Sequence, residues 1–296
     1  MIRQLLEKFG PNPFDLLLKR AQKKGLKKIL LTWNRGLGDV PLGIYAMKER
    51  IYSYIPDAEI SFLTRQDLVP GFELLNEGKI FFSPSWKRGV PFNLSHTLEE
   101  IGLKEENFDL IIENPNPTKW VKWQLGNLTP KLTWDVKGDL LAEKFSLKGK
   151  YLGVHVHSET TYGYQKNWDE KRWRSFFEKW AKASDIPVIL FGFRKDPEYK
   201  MENLVDLRGQ TSLFEMLSII KNYCSHLVVP DSGVLSIVYY LNTSFPIKIV
   251  SLWADPHQGV LKQNVSSPNK ELIHVPLIGE NKDIHAISED EVLCNL

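Results

Sequence analysis

Apolar and polar positions along this chain follow two periods that keep replacing one another. Short runs of β-branched and aromatic residues give way to stretches with apolar residues three and four apart, the spacing of one helix face. In the first part, strands are expected at 28–33, 59–64, 79–83 and 108–113, and helices at 41–54, 66–77 and 96–103. The pattern blurs between Asn114 and Lys150, where prolines, tryptophans and polar breaks interrupt it. It then restarts, with strands expected at 150–157, 186–192, near Val205, 226–230 and 246–253. The helices between and after them are expected at 169–184, 196–203, 212–224, 234–242 and 287–295. Strands alternating with helices make parallel βαβ units. The expected class is therefore α/β, with two Rossmann-like domains whose parallel sheets face a central cleft. The blurred stretch sets their junction, giving domains 1–140 and 141–296, with the last helix free to pack back on the first.

One helix precedes the first strand. Asn12 caps it, Pro13 starts it, Phe14, Leu17, Leu18 and Ala21 share a face, and Gly25 ends it beyond Lys23 and Lys24. Residues 1–28 hold eight Lys and Arg against Glu7 and Asp15, a local +6, so the other 268 residues carry −4 within a net +2. The basicity thus belongs to one helix, which reads as docked on the surface with its lysines well placed for the helix dipole. Contact with an anionic membrane surface is the alternative. The composition is otherwise that of an ordinary soluble protein, and no nucleic-acid partner is expected. Cys224 and Cys294 lie far apart without metal-ligand spacing, which suits a reducing compartment, and Cys224 reads as core. No apolar run reaches membrane-span length and no signal-type segment opens the chain, so a cytoplasmic location is expected.

Four loops fall where strands should end, the places where α/β proteins bind ligands. In "RGLGDVP", Gly36 and Gly38 allow a tight turn and Pro41 suits a first helical turn. Asp39 there reads equally as a helix N-cap or as a base facing a crevice. In "SETTYGYQKNWDEKRW", Thr160, Thr161 and Lys166 precede a helix and read as a phosphate site or as an exposed polar loop with Asp169 as cap. In "PDSG", Ser232 and Gly233 present backbone N–H groups to diphosphate oxygens, while Asp231 orients a sugar hydroxyl, caps the helix, or does both. In "SLWADPHQ", Trp253 reads as buried and His257 as solvated. The chain has no Walker A sequence, HExxH, GxSxG, DxD or Cys/His metal spacing.

In this order the loops resemble the heptosyltransferases, family nine of the bacterial glycosyltransferases, from about Ile29 to Pro256. The likeness is strongest where Thr211, Ser212 and Leu213 start a helix, Leu227 to Val229 form a strand and Asp231 to Gly233 a turn. "GLGDV" and "KNW" match further family patterns. The resemblance implies a GT-B fold and an inverting, metal-independent transfer of a sugar, heptose from ADP-heptose being favoured, to a lipopolysaccharide-core acceptor. It implies no cofactor and two partners, a nucleotide sugar and an anionic glycolipid, with peripheral contact at the cytoplasmic face of the inner membrane as an option. By the same resemblance Asp39 is the general base, with Gly36 and Gly38 forming the turn near the acceptor. Lys166, Thr160, Thr161, Ser232 and Gly233 hold the donor phosphates, Asp231 holds sugar, and Asp196 or Glu198 holds ribose. The chain departs from the family at Ser236, where members often carry histidine, and in its shortened "WADPH" loop. A sugar-nucleotide epimerase of the same architecture and a catalytically silent nucleotide-sugar-binding protein are the competing readings.

Overall fold

Strand β1 (Lys28–Trp33) is buried along all but its first residue, because its run of Ile, Leu, Thr and Trp is covered on both faces, as a central parallel strand must be. It pairs in parallel with β2 (Glu59–Arg65) and β4 (Leu110–Ile112), and β2 pairs with β3 (Lys79–Ser83). The computed structural model describes residues 11–88, 90, 92–159 and 164–296. It divides the chain into two units, Met1–Pro130 and Lys131–Leu296.

The first unit carries the sheet order β3-β2-β1-β4. The chain moves outward from β1 to β3 and then jumps to the other side of β1. That reversal puts a topological switch point, where open α/β sheets leave a crevice, between β1 and β4. The unit also holds helices α1 (Pro13–Lys23), α2 (Tyr45–Tyr54), α3 (Val69–Glu73) and α4 (Leu94–Glu100), and a single helical turn at Pro117–Trp120. The Asn12 side chain accepts the Phe14 N–H at 2.9 Å, capping α1 as its sequence predicts. Phe14 stacks on Trp120 at 5.1 Å, and Arg50 Nε and Nη2 donate to the Asp15 carboxylate at 2.8 Å each. Phe14, Leu18 and Ala21 are buried, and Lys19, Lys23 and Lys24 stay exposed. The tryptophan-rich middle thus has a use: Trp120 is the seat of α1.

The second unit has six parallel strands in the order β10-β9-β8-β5-β6-β7. They are β5 (Tyr151–His155), β6 (Val188–Phe191), β7 (Leu204–Asp206), β8 (Cys224–Pro230), β9 (Ile247–Trp253) and β10 (Leu272–Ile278). Counted from β5, this is the doubly wound order of dinucleotide-binding sheets, with its switch point between β5 and β8. Helix α5 (Glu170–Ala183) buries Trp173, Phe176, Phe177 and Trp180 in one core with Leu152, Val154, Val188 and Leu190. Helices α6 (Leu213–Tyr223), α7 (Gly233–Tyr239), α8 (Gly259–Gln263) and α9 (Glu289–Cys294) follow. Helix α9 packs on α5, with Lys179 reaching Asp290 at 2.7 Å. Cys224 is buried, and burial pushes its thiol up to about 12, as suits a core residue.

Three expectations need correction. Residues 196–203 form no helix: Pro197 disfavours helical angles at Asp196, and Tyr199 is drawn under Phe177, 5.3 Å away, instead of following a helix face. The expected helix 66–77 shrinks to a 3-10 turn, Gln66–Leu68, and α3, which Pro70 restarts. Strand β10 was absent from the sequence pattern because Pro276 breaks it, yet an edge strand tolerates a proline.

Candidate functional site

The chain leaves β1 through Asn34 and turns at Gly36–Asp39. The Gly36 N–H donates to Asp39 Oδ2 at 3.0 Å, and the Asp39 N–H donates to the Gly36 carbonyl at 3.1 Å. Asp39 has helical backbone angles, φ −72° and ψ −14°, and makes no capping bond with its side chain. The carboxylate therefore folds back over its own turn, and the N-cap alternative is excluded. Beyond it, Val40–Ile44 opens into a π-helical turn, a form that recurs at functional sites. The fully buried Gln124 donates Nε2 to the Leu42 carbonyl in this wide turn at 2.7 Å.

Residues with no motif hold that loop. Arg65, buried at the end of β2, donates Nη1 to Asn34 Oδ1 at 2.9 Å, while Nε and Nη2 each reach Asp67 at 2.8 Å. The Asn34 N–H donates to Asn114 Oδ1 at 3.0 Å, joining the loops after β1 and β4 across the switch point. Leu37 lies over Gly71, where a Cβ would stand 2.5 Å from its Cδ1.

In the second unit, Lys166 from the loop after β5 forms an ion pair with Asp231, the residue that follows β8. Both are buried, Lys166 at 7 % and Asp231 at 8 % exposure, so the expectation of an exposed loop lysine is corrected. Burial pushes the Asp231 carboxyl up, and Lys166 pulls it back. Ser232 caps α7, its Oγ accepting the Leu235 N–H at 3.3 Å, and Gly233 opens the helix. Ser236 is buried and donates Oγ to the Ser232 carbonyl at 3.3 Å. Gly259 makes room for the acid: a Cβ there would stand 2.8 Å from Asp231 Oδ1 and 2.8 Å from Trp253.

At the carboxyl ends of β5 and β6 lies a cavity of about 130 Å³ lined by Trp168, Trp173, Phe193, Asp196 and Tyr199. Glu159 and Arg194 also line it and pair at 2.8 Å. Glu198 does not line it; its side chain is 74 % exposed and lies 3.5 Å from Lys200. Of the two acids named for ribose, only Asp196 faces this cavity. Thr160 and Thr161 lie outside the described residues.

Sequence reasoning missed a second charged cluster beside the first. The carboxylate of Asp255, buried after β9, accepts the His257 N–H at 3.0 Å and meets Lys282 Nζ at 3.1 Å, and these bonds hold it down at about 2. His257 is solvated, as expected, with its side chain 86 % exposed. His155, at the end of β5, is buried and stays neutral, its pKa lowered to about 4 by burial. Neither His155 nor Lys282 belongs to a motif that would have singled it out.

The fold defined by these two parallel α/β units is the GT-B fold of glycosyltransferases. The E. coli ADP-heptose lps heptosyltransferase II is similar over 90 % of this chain and 97 % of its own, with a TM-score of 0.65 at 16 % identity. A glycosyl transferase family 9 protein from Veillonella parvula DSM 2008 is similar over 91 % of this chain and 95 % of its own, with a TM-score of 0.59 at 13 % identity. No family model matches the sequence, and neither does any curated protein. Among the described residues no cluster of three or more His, Cys, Asp and Glu is arranged to hold a metal, and no helix is long and apolar enough to cross a membrane.

Proposed function

We propose that this protein is an inverting, metal-independent glycosyltransferase that moves a heptose from ADP-heptose to a lipopolysaccharide-core acceptor. The observation that carries the reading is the buried Lys166–Asp231 pair at the switch point of a doubly wound sheet. A buried lysine paired with Asp231 at that point is suited to neutralise a diphosphate as the sugar–phosphate bond breaks. Ser232 and Gly233 add backbone N–H groups, Asp231 meets the sugar, and Asp196 meets ribose at the mouth of the aromatic cavity. Asp39 takes the acceptor hydroxyl's proton as the new bond forms, with Gly36 and Gly38 shaping its turn. The heptosyltransferase likeness supports ADP-heptose as donor. The exposed lysines of α1 suit an anionic glycolipid at the cytoplasmic face of the inner membrane.

The test is incubation of the purified protein with ADP-heptose and a heptose-free lipopolysaccharide core, read by mass of both substrates. A core heavier by one heptose, with ADP released, is expected. A nucleotide sugar altered without acceptor points instead to an epimerase. Protection against thermal unfolding without turnover points to a silent binding protein.

A further inference from the structure

Lys282 is a charged group at the strand ends with no part in the proposed transfer. It follows β10, on the far side of β9 from β8, and the sequence places it far from Lys166. The fold nonetheless ties it to the phosphate loop at three points. Its ammonium lies 5.8 Å from the ring centre of Tyr164, two residues before Lys166. Three residues after it, His285 Nε2 lies 2.7 Å from Oε1 of Gln165, the residue between Tyr164 and Lys166. Its counter-ion, Asp255, acts electrostatically on Asp231, the counter-ion of Lys166.

Two lysines and two buried carboxylates therefore make one cluster at the carboxyl ends of neighbouring strands. Lys166 pairs with Asp231 and Lys282 with Asp255. The two differ in one respect: Lys166 is buried, whereas the Lys282 side chain is 61 % exposed and reaches its buried partner from the solvent side. A cation that meets a buried acid from outside can turn to a ligand without crossing the core.

We propose that Lys282 is a second cationic contact for the diphosphate of the donor, acting beside Lys166. The inference rests on the donor reading above. A diphosphate carries more than one negative charge, and a single lysine already shared with a carboxylate neutralises it incompletely. A second lysine discriminates a diphosphate from a monophosphate, which lacks the second phosphoryl group to meet it.

The experiment titrates the full chain with ADP, UDP, GDP and CDP, takes the tightest, and compares it with its monophosphate on wild type, Lys282→Ala and Lys282→Arg. Lys282→Ala should weaken the diphosphate about tenfold or more, as loss of a charged hydrogen bond does, and the monophosphate far less. Lys282→Arg should recover most of the loss and keep the wild-type melting temperature, since it leaves a cation on Asp255, whereas Lys282→Ala should lower it only modestly, the His257 N–H still holding the buried carboxylate. Equal losses for the two nucleotides, or a melting temperature that falls in both variants, would show a brace for the loop and overturn the proposal. Unchanged diphosphate affinity in Lys282→Ala, with wild type binding normally, overturns this inference alone. A wild type that binds no nucleoside diphosphate overturns it together with the donor reading.

Discussion

The loop after β1 and the loops after β5 and β8 occupy equivalent places, each at the switch point of a parallel sheet, yet they treat their acids oppositely. Asp39 is half-buried and its carboxylate accepts a backbone N–H of its own turn. Asp231 is buried and its carboxylate accepts from a buried ammonium. The bond from the neutral Gly36 N–H leaves the Asp39 carboxylate further lone pairs for other partners. Burial pushes the Asp231 carboxyl up and Lys166 pulls it back, so each of these two buried groups depends on the other's charge. On the proposed function both switch-point loops are sites, the first for proton transfer and the second for holding charge. The supports differ in the same way. The first loop is clamped by Arg65 and Asn114 through hydrogen bonds to backbone and amide groups, and the second by ion pairs.

This contrast breaks most sharply at Asp39. Asp39→Asn should cut transfer by about a hundredfold to ten-thousandfold while donor affinity and melting temperature hold, since the amide keeps the shape but accepts no proton. Near-normal turnover in a folded variant would reduce the first loop to a turn. Lys166→Ala should act differently, lowering donor affinity and also stability, by about 3–5 kcal/mol at neutral pH, because Asp231 is left buried without its partner. That stability loss should shrink as pH falls. The folded-state pKa of Asp231 lies above its unfolded value, so the folded protein binds the extra proton and acid favours it. Chemical denaturation across pH checks the sign, and a loss that grows in acid would contradict it.

Asp255 sharpens the comparison from the opposite side. Its folded pKa is depressed from 3.8 to about 2, so its contribution is present above the higher value and is lost as pH falls toward the lower. Asp255→Asn should flatten that part of the acid-unfolding profile, and an unchanged acid limb would mean the carboxylate is not held by His257 and Lys282. The smallest effect is expected at a helix end remote from both loops: Asn12→Ala should cost about 1 kcal/mol by loss of the α1 cap, with donor affinity untouched.

Periodicity alone determined the α/β class, most of the strands, and the placement of Asp39, Lys166 and Asp231 in loops at strand ends, because central strands and helix faces each impose a local spacing. It also determined the capped, docked α1, whose signals lie within a few residues of one another. The tertiary structure decided the rest. Whether Asp39 caps its helix depends on where the carboxylate turns, and it turns to Gly36. Lys166 read as exposed because no local pattern announces a partner sixty-five positions away, and only the order of strands brings Asp231 beside it. Asp196 and Glu198 were indistinguishable in sequence until the loop after β6 turned one toward the cavity and the other to solvent. Lys282 and Asp255 had no motif at all, since a charge cluster assembled from the ends of separate strands has no spacing along the chain, only distances across the sheet.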